Sequence, residues 1–203
     1  MGSGVSVMTE GAWKTPLGIV SIDSPLASSI CTGIVDKDPS AHVYEHSIEV
    51  QLPFLQYLAH GHSFEFVPLC MMMQEYETAH EVGGIIAAAI QHTSKKVIII
   101  ASSDFSHAGF NYRSMPPQGV RVDKYAEQQD ALAIEKILAL DPKGLIQTVE
   151  EHDITMCGYG PVAAMLTAVQ QQGATRAELL KYGTSYAVHP NSSCVGYGAI
   201  IVS

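Results

Sequence analysis

The stretch Lys95-Lys96-Val97-Ile98-Ile99-Ile100-Ala101-Ser102-Ser103-Asp104-Phe105-Ser106-His107 limits most what this chain can fold into. A charged entry leads into a short β-branched run, then small residues, an acid and a histidine. So short a continuous apolar run predicts a strand buried on both faces, as in a parallel sheet covered by helices. In open α/β sheets the ligand crevice lies just beyond the carboxyl ends of such strands. Asp104 and His107 stand at that end, so chemistry is expected there.

With 203 residues the chain can bury one good core, and roughly 100–200 residues per domain makes 1–203 a single domain. The formal net charge of −9 argues against nucleic acid and anionic membranes as partners. Nine histidines exceed the usual share and point to metal or proton chemistry. Cys31, Cys70, Cys157 and Cys194 are widely spread with no CxxC pair, which reads as reduced thiols in a cytoplasmic protein. No apolar run approaches the roughly 18 residues of a membrane span, and no signal-peptide pattern opens the chain. Met1-Gly2-Ser3-Gly4-Val5-Ser6 matches an acylation pattern and Asn191-Ser192-Ser193 a glycosylation pattern. Both are short enough to arise by chance, and the second is moot without secretion.

In chain order, Val5 to Glu10 and Leu17 to Ile22 read as strands, with Gly11 to Pro16 as their link. Ser24-Pro25 reads as a helix start. Tyr44 to Leu55 reads as an amphipathic helix kinked near Pro53, placing Glu45 and Glu49 on one face with His46 beside them. Taken by itself, a solvated polar stripe with a histidine packed at the helix start is the favoured reading of that face. Phe64 to Leu69 reads as a strand running into Met71 to Met73, soft core filler unless a second soft ligand stands nearby. A helix over Thr78 to His92 carries Gly83-Gly84, the mark of close packing. Gly109 to Gly119 reads as a loop over the crevice, Val120 to Leu140 as the longest helix, and Asp141-Pro142 as the next helix start. Pro161 to about Gln171 reads as a helix ended by Gly173. Glu178 to Val188 and Cys194 to Val202 read as closing strands.

Cys157 therefore falls just before a helix N-terminus, where the macrodipole favours a thiolate. Taken singly, Asp104 reads equally as a helix N-cap and His107 as a satisfied loop histidine, while for Cys157 a small buried hydrophobe is the commoner reading. A serine nucleophile at Ser102, Ser103 or Ser106 is the least favoured reading. No G-x-S-x-G elbow is present, and such near neighbours cannot supply a base at attack geometry.

Three segments in order are more specific: Glu45-His46-Ser47-Ile48-Glu49-Val50-Gln51-Leu52-Pro53-Phe54, Ser102-Ser103-Asp104-Phe105-Ser106-His107 and Cys157-Gly158-Tyr159-Gly160-Pro161. Together they resemble the Memo family, also called the AmmeMemoRadiSam system protein B group. Thr15-Pro16-Leu17-Gly18 and Ser193-Cys194-Val195-Gly196-Tyr197 resemble its flanking segments, so the likeness covers essentially the whole chain. The resemblance implies an α/β fold with a mixed, largely parallel central sheet flanked by helices, related to the class III (LigB-like) extradiol dioxygenases. It implies a pocket for iron or copper, with Cys157 and His107 as ligands and Asp104 lining the same pocket. His46 would act as an outer or acid/base histidine. Thiolate and imidazole together suit Fe(II) or copper.

The likeness also has a gap. The family carries, ahead of the region matched here, two segments with histidine ligands and at least one core strand, and none of the nine histidines stands in such a context. A family member lacking its N-terminal part is the expectation. Its metal site would be incomplete, and an exposed sheet edge would invite pairing with another chain, including a second copy. Three functions are then open: a redox-metal protein acting on an unnamed small molecule or peptide, a binding or signalling module that has lost catalysis, and a hydrolase.

Overall fold

The strongest helical patterns in the sequence form the helices that enclose the core. The computed structural model describes residues 4–203, so the first half of the acylation match at Met1 to Ser3 lies outside the described residues. The order is β1 (Val5–Val7), β2 (Ala12–Thr15), β3 (Gly18–Ile22), α1 (Ser24–Ile30), β4 (Asp36–Lys37), α2 (Gln51–Leu58), β5 (Glu65–Phe66) and β6 (Leu69–Met71). Then follow α3 (Tyr76–Gln91), β7 (His107–Gly109), α4 (Val122–Leu138), α5 (Pro142–Glu151), α6 (Tyr159–Gln171), β8 (Ala177–Thr184) and β9 (Ser193–Val202). No described helix is long and apolar enough to cross a membrane.

Local chemistry explains the helix starts. Asp23 caps α1, its side chain accepting from the Leu26 N–H at 3.1 Å, and Pro25 sits in the first turn. Asp141 caps α5 through the Gly144 N–H at 2.8 Å, again with a proline in the first turn. The helix expected over Tyr44 to Leu55 starts later, at Gln51. Pro53 has no N–H to donate and is accommodated in a first turn, so the helix begins just ahead of it and does not kink. Upstream, the Glu45 carboxylate accepts from the Ile48 and Glu49 N–H groups, so Glu45 and Glu49 do not share a helix face.

The core joins Val5 and Val7 of β1 to Ala79 and Val82 of α3, Leu145 and Ile146 of α5, and Val162 and Leu166 of α6. Helices α3 and α6 approach closely at Gly83, where an added Cβ would lie 2.6 Å from the Ala164 carbonyl oxygen and the Thr167 Cβ. That is the close approach the paired glycines predict.

The protein is α/β with mixed sheets, in three ladders among the described residues: β4-β1-β6, β2-β3-β5 and β7-β9-β8. Only β1–β4 and β3–β5 are parallel; β1–β6, β2–β3, β7–β9 and β8–β9 are antiparallel. The sheets are mixed, as expected, with antiparallel pairs in the majority among the described residues. The link expected over Gly11 to Pro16 contains β2, which turns back on β3 through Pro16-Leu17. The Val97 to Ile100 run is the main departure. It joins no ladder, and Ile98 and Ile100 are 85% and 51% exposed. Apolar β-branched residues set its extended tendency, but a strand buried on both faces also needs neighbours on either side. The described residues supply none, and an apolar edge stands open.

Candidate functional site

Directly after that open run the chain turns inward. The Phe105 N–H donates to the Gly196 carbonyl and the Gly196 N–H to that of Ser106, both at 3.0 Å. These bonds lead into β7 and fix His107 opposite Val195 of β9. From the other side comes the turn before α6, carrying Thr155 and Cys157. Thr155 bonds His107 reciprocally: the His107 N–H donates to Thr155 Oγ1, and that hydroxyl donates to the His107 carbonyl, each at 2.8 Å. The His107 ring Nδ1 lies 2.9 Å from the Thr155 carbonyl oxygen. A carbonyl only accepts, so Nδ1 carries a proton, and in that tautomer Nε2 is the acceptor the ring presents.

Nε2 faces Asp104, whose Oδ2 is 3.6 Å away. That is too long for a hydrogen bond and becomes an ion pair only when the ring is protonated. The Cys157 thiol is exposed and lies 3.7 Å from Ser103 Oγ and 3.8 Å from the Asp104 carbonyl oxygen. The structure thus brings Cys157 to Asp104 and His107, from which the sequence separates it by about fifty residues. His46 is apart from this hydrogen-bond network: its side chain is 82% exposed and its ring Nδ1 meets Glu49 Oε2 at 3.3 Å.

The supports of this cluster include Gln74, a residue that sequence reasoning passed over. Gln74, just beyond β6, clamps the cysteine turn with both ends of its amide. Its Nε2 donates to the Cys157 carbonyl at 3.0 Å, and its Oε1 accepts from the Gly160 N–H at 2.8 Å. A Cβ on Gly160 would collide with Gln74. Ser103 Oγ accepts from the Gly158 N–H at 2.8 Å and donates to the Asp104 carbonyl at 2.7 Å. Gln51, at the start of α2, donates to Ser102 Oγ at 3.0 Å, which ties the Glu45-to-Phe54 segment to this rim.

Behind β7, Asp130 of α4 is completely buried. It accepts from the Ser106 N–H at 2.8 Å and from the Tyr182 hydroxyl at 2.6 Å. Burial outweighs these bonds and holds its carboxyl above the ordinary range. On the open side the Tyr112 ring stands edge-on to His107, with centroids 5.1 Å apart. Burial, then the Asp104 carboxylate, push the Tyr197 phenol up, so it stays neutral beside the cluster. No signal in one sequence marks Gln74, Thr155 or Asp130, because each acts through partners distant along the chain.

Chemically, the cluster offers a soft sulfur, an unprotonated imidazole nitrogen and a carboxylate on an open rim. Among the described residues, no three His, Cys, Asp or Glu side chains come close enough together to hold a metal ion. Sulfur and imidazole are donor types that suit a transition metal.

Comparison with known proteins agrees over the whole length. The family model described as Memo-like protein matches residues 1–201. A MEMO1 family protein of Methanopyrus kandleri is 46% identical over 204 residues, covering 99% of this chain and 68% of the relative's own length. MEMO1 family proteins of Methanosarcina acetivorans and Methanocaldococcus jannaschii are each 45% identical, covering 99% and 100% of this chain and 70% and 68% of their own lengths. Matches of that extent and identity leave one assignment: the chain belongs to the Memo-like family.

Proposed function

We propose that this protein carries part of a redox-metal pocket of the kind found in non-haem dioxygenases, with Cys157 and His107 as ligands to iron or copper. The observation that supports this reading most is the Thr155 carbonyl on His107 Nδ1. Metal-binding histidines usually donate their second ring N–H to such an acceptor, which fixes the tautomer and leaves the other nitrogen for the metal. Asp104 balances charge beside that nitrogen, and Gln74 and Ser103 orient the thiol-bearing turn. The metal, when bound, supplies Lewis acidity and one-electron chemistry. The chain's own groups hold it, keep Nδ1 protonated and leave an open rim for a small molecule or peptide.

A second reading, a binding module of this fold without turnover, is favoured by the incomplete ligand set among the described residues. Anaerobic titration of Fe(II) into the wild type and Cys157→Ala tests the first reading. We expect at least a tenfold loss of affinity in the variant, and a parallel loss in His107→Ala. Equal affinities would remove Cys157 from the site. Protein purified without iron, and without oxygen consumption across candidate substrates, would favour the second reading.

A further inference from the structure

Asp104 and His107 stand three residues apart, and along an unbroken strand that spacing puts two side chains on opposite faces. Yet Asp104 Oδ2 lies 3.6 Å from His107 Nε2. The main-chain bonds show how the two come to one side. Gly196 of β9 bonds two consecutive residues, its carbonyl accepting from the Phe105 N–H and its N–H donating to the Ser106 carbonyl. His107 meanwhile keeps its place opposite Val195. Two residues opposite one make a β-bulge, and the extra residue returns Asp104 to the face of His107.

The bulge leaves one N–H over. In a regular pair Ser106 would donate to the Gly196 carbonyl. Phe105 takes that place, and the Ser106 N–H donates to Asp130 Oδ1 at 2.8 Å instead. Asp130 reaches it from α4 and steadies its other oxygen on the Tyr182 hydroxyl of β8, at 2.6 Å. The opposing strand is cut away to admit these groups. A Cβ on Gly196 would collide with Asp130 Oδ2, and one on Gly198, the partner of Tyr182 in the β8–β9 ladder, would stand 2.6 Å from the Phe105 ring.

Packing alone does not call for an acid here. Helix α4 already buries Val122, Ala126, Ala133, Ile134 and Ile137, and a buried carboxyl is disfavoured unless its oxygens are used. An apolar residue at position 130 would fill the space and leave the Ser106 N–H without an acceptor. Ser106 is only 2% exposed, so bulk water does not replace that acceptor.

We infer that Asp130 is a positioning residue of the rim: by accepting the surplus Ser106 N–H it holds the bulge that brings Asp104 and His107 to one face. Its importance for metal binding rests on the function proposed above. The placement of Asp104 against His107 does not, and it can be measured in metal-free protein.

The test compares metal-free wild type, Asp130→Ala, Asp130→Asn and Gly83→Ala by NMR, through the nuclear Overhauser contact between the Asp104 β-protons and the His107 ring. We expect Asp130→Ala to lose that contact and to exchange the Ser106 amide about tenfold faster. Asp130→Asn keeps an Oδ1 acceptor for Ser106 and should retain the contact. Gly83→Ala loosens the α3–α6 packing without touching the bulge, and should retain it too. A folded Asp130→Ala with the wild-type contact overturns the proposal, and so does loss of the contact in Gly83→Ala, which would assign it to general loosening. Should Asp130→Ala fail to fold by circular dichroism, the wild type decides: a scalar coupling across the hydrogen bond from the Ser106 nitrogen to the Asp130 carboxyl carbon supports the proposal, and its absence overturns it. Anaerobic Fe(II) titration of the same proteins then reads the consequence, with binding about 10- to 100-fold weaker in Asp130→Ala. A wild type that binds no Fe(II) but shows the contact would sink the metal reading and leave the positioning role standing.

Discussion

His107 and Thr155 hold each other at three points: main-chain N–H to hydroxyl, hydroxyl to main-chain carbonyl, and ring Nδ1 to main-chain carbonyl. Two segments 48 residues apart are thereby locked in register, and the tautomer of a rim histidine is fixed from behind. Replacing Thr155 by valine keeps the shape and deletes the hydroxyl. The His107 N–H then loses its acceptor, and we expect a loss of about 1–3 kcal/mol in urea unfolding. The ring nitrogen NMR shifts of His107 should also move toward a mixture of tautomers. Unchanged shifts would mean that the carbonyl alone sets the ring.

Gln74 gives a prediction about the thiol itself. Its amide occupies both the carbonyl of Cys157 and the N–H of Gly160, so Gln74→Ala frees the turn before α6. Thiol reagents should modify Cys157 several-fold faster in that variant, followed by mass spectrometry at the Cys157 peptide. Gln74→Glu keeps an acceptor for the Gly160 N–H but presents an oxygen to the Cys157 carbonyl. It should therefore loosen the turn as well, and a wild-type rate in both variants would assign the placement of the thiol to Ser103.

Asp130 gives the pH dependence a definite sign. Burial raises its carboxyl above the ordinary value of 3.8, so between that value and the raised one the folded state binds more protons than the unfolded state. Stability contributed by the protonated group is then present at low pH and lost as pH rises through this window, at up to about 1.4 kcal/mol per pH unit. Asp130→Asn cannot ionise; its Oδ1 keeps the acceptor for the Ser106 N–H, and its Nδ2 faces the Tyr182 oxygen, which then accepts instead of donating. Unfolding free energies measured from pH 4 upward should show the wild type losing stability relative to Asp130→Asn as pH rises. A difference that is flat with pH, or that grows the other way, would contradict the burial argument.

Gly83 shows which parts of the fold were legible in the sequence. Paired glycines in an otherwise apolar helix mark a close approach, and the Ala164 carbonyl and Thr167 stand where a side chain would go. Gly83→Ala should cost about 1–3 kcal/mol by overpacking, lowering the thermal midpoint by several degrees in calorimetry. Gly84, whose Cβ would meet only Gln171 Nε2 at 3.8 Å, should tolerate alanine. Helices α3 to α6 were readable because apolar spacing, prolines and caps act within one or two turns of chain. The convergence of Asp104, His107 and Cys157 was readable only through the family likeness. Asp130 and Gln74 were not readable at all, since a buried aspartate on α4 and a half-buried glutamine look like any polar residue until their partners are placed. The Val97 to Ile100 run misled because residue type reports a strand's tendency and not its neighbours.

That run carries the last prediction. Ile98 is 85% exposed and Ile100 51% exposed, in an extended segment that joins no ladder. An open apolar edge of this kind pairs with whatever strand is at hand, and in a pure preparation that is another copy of the same chain. We expect the 203-residue protein to self-associate with concentration in sedimentation velocity. Ile98→Lys places a charge on the exposed face while leaving the half-buried Val97 and Ile99 in place. It should shift the distribution to monomer with little change in unfolding free energy, within about 0.5 kcal/mol for a surface site. Ile19 on β3, 71% exposed on a strand already paired with β2 and β5, provides the control: Ile19→Lys should leave association unchanged. If both lysine variants dissociate the protein equally, general apolar exposure drives association, not the unpaired edge.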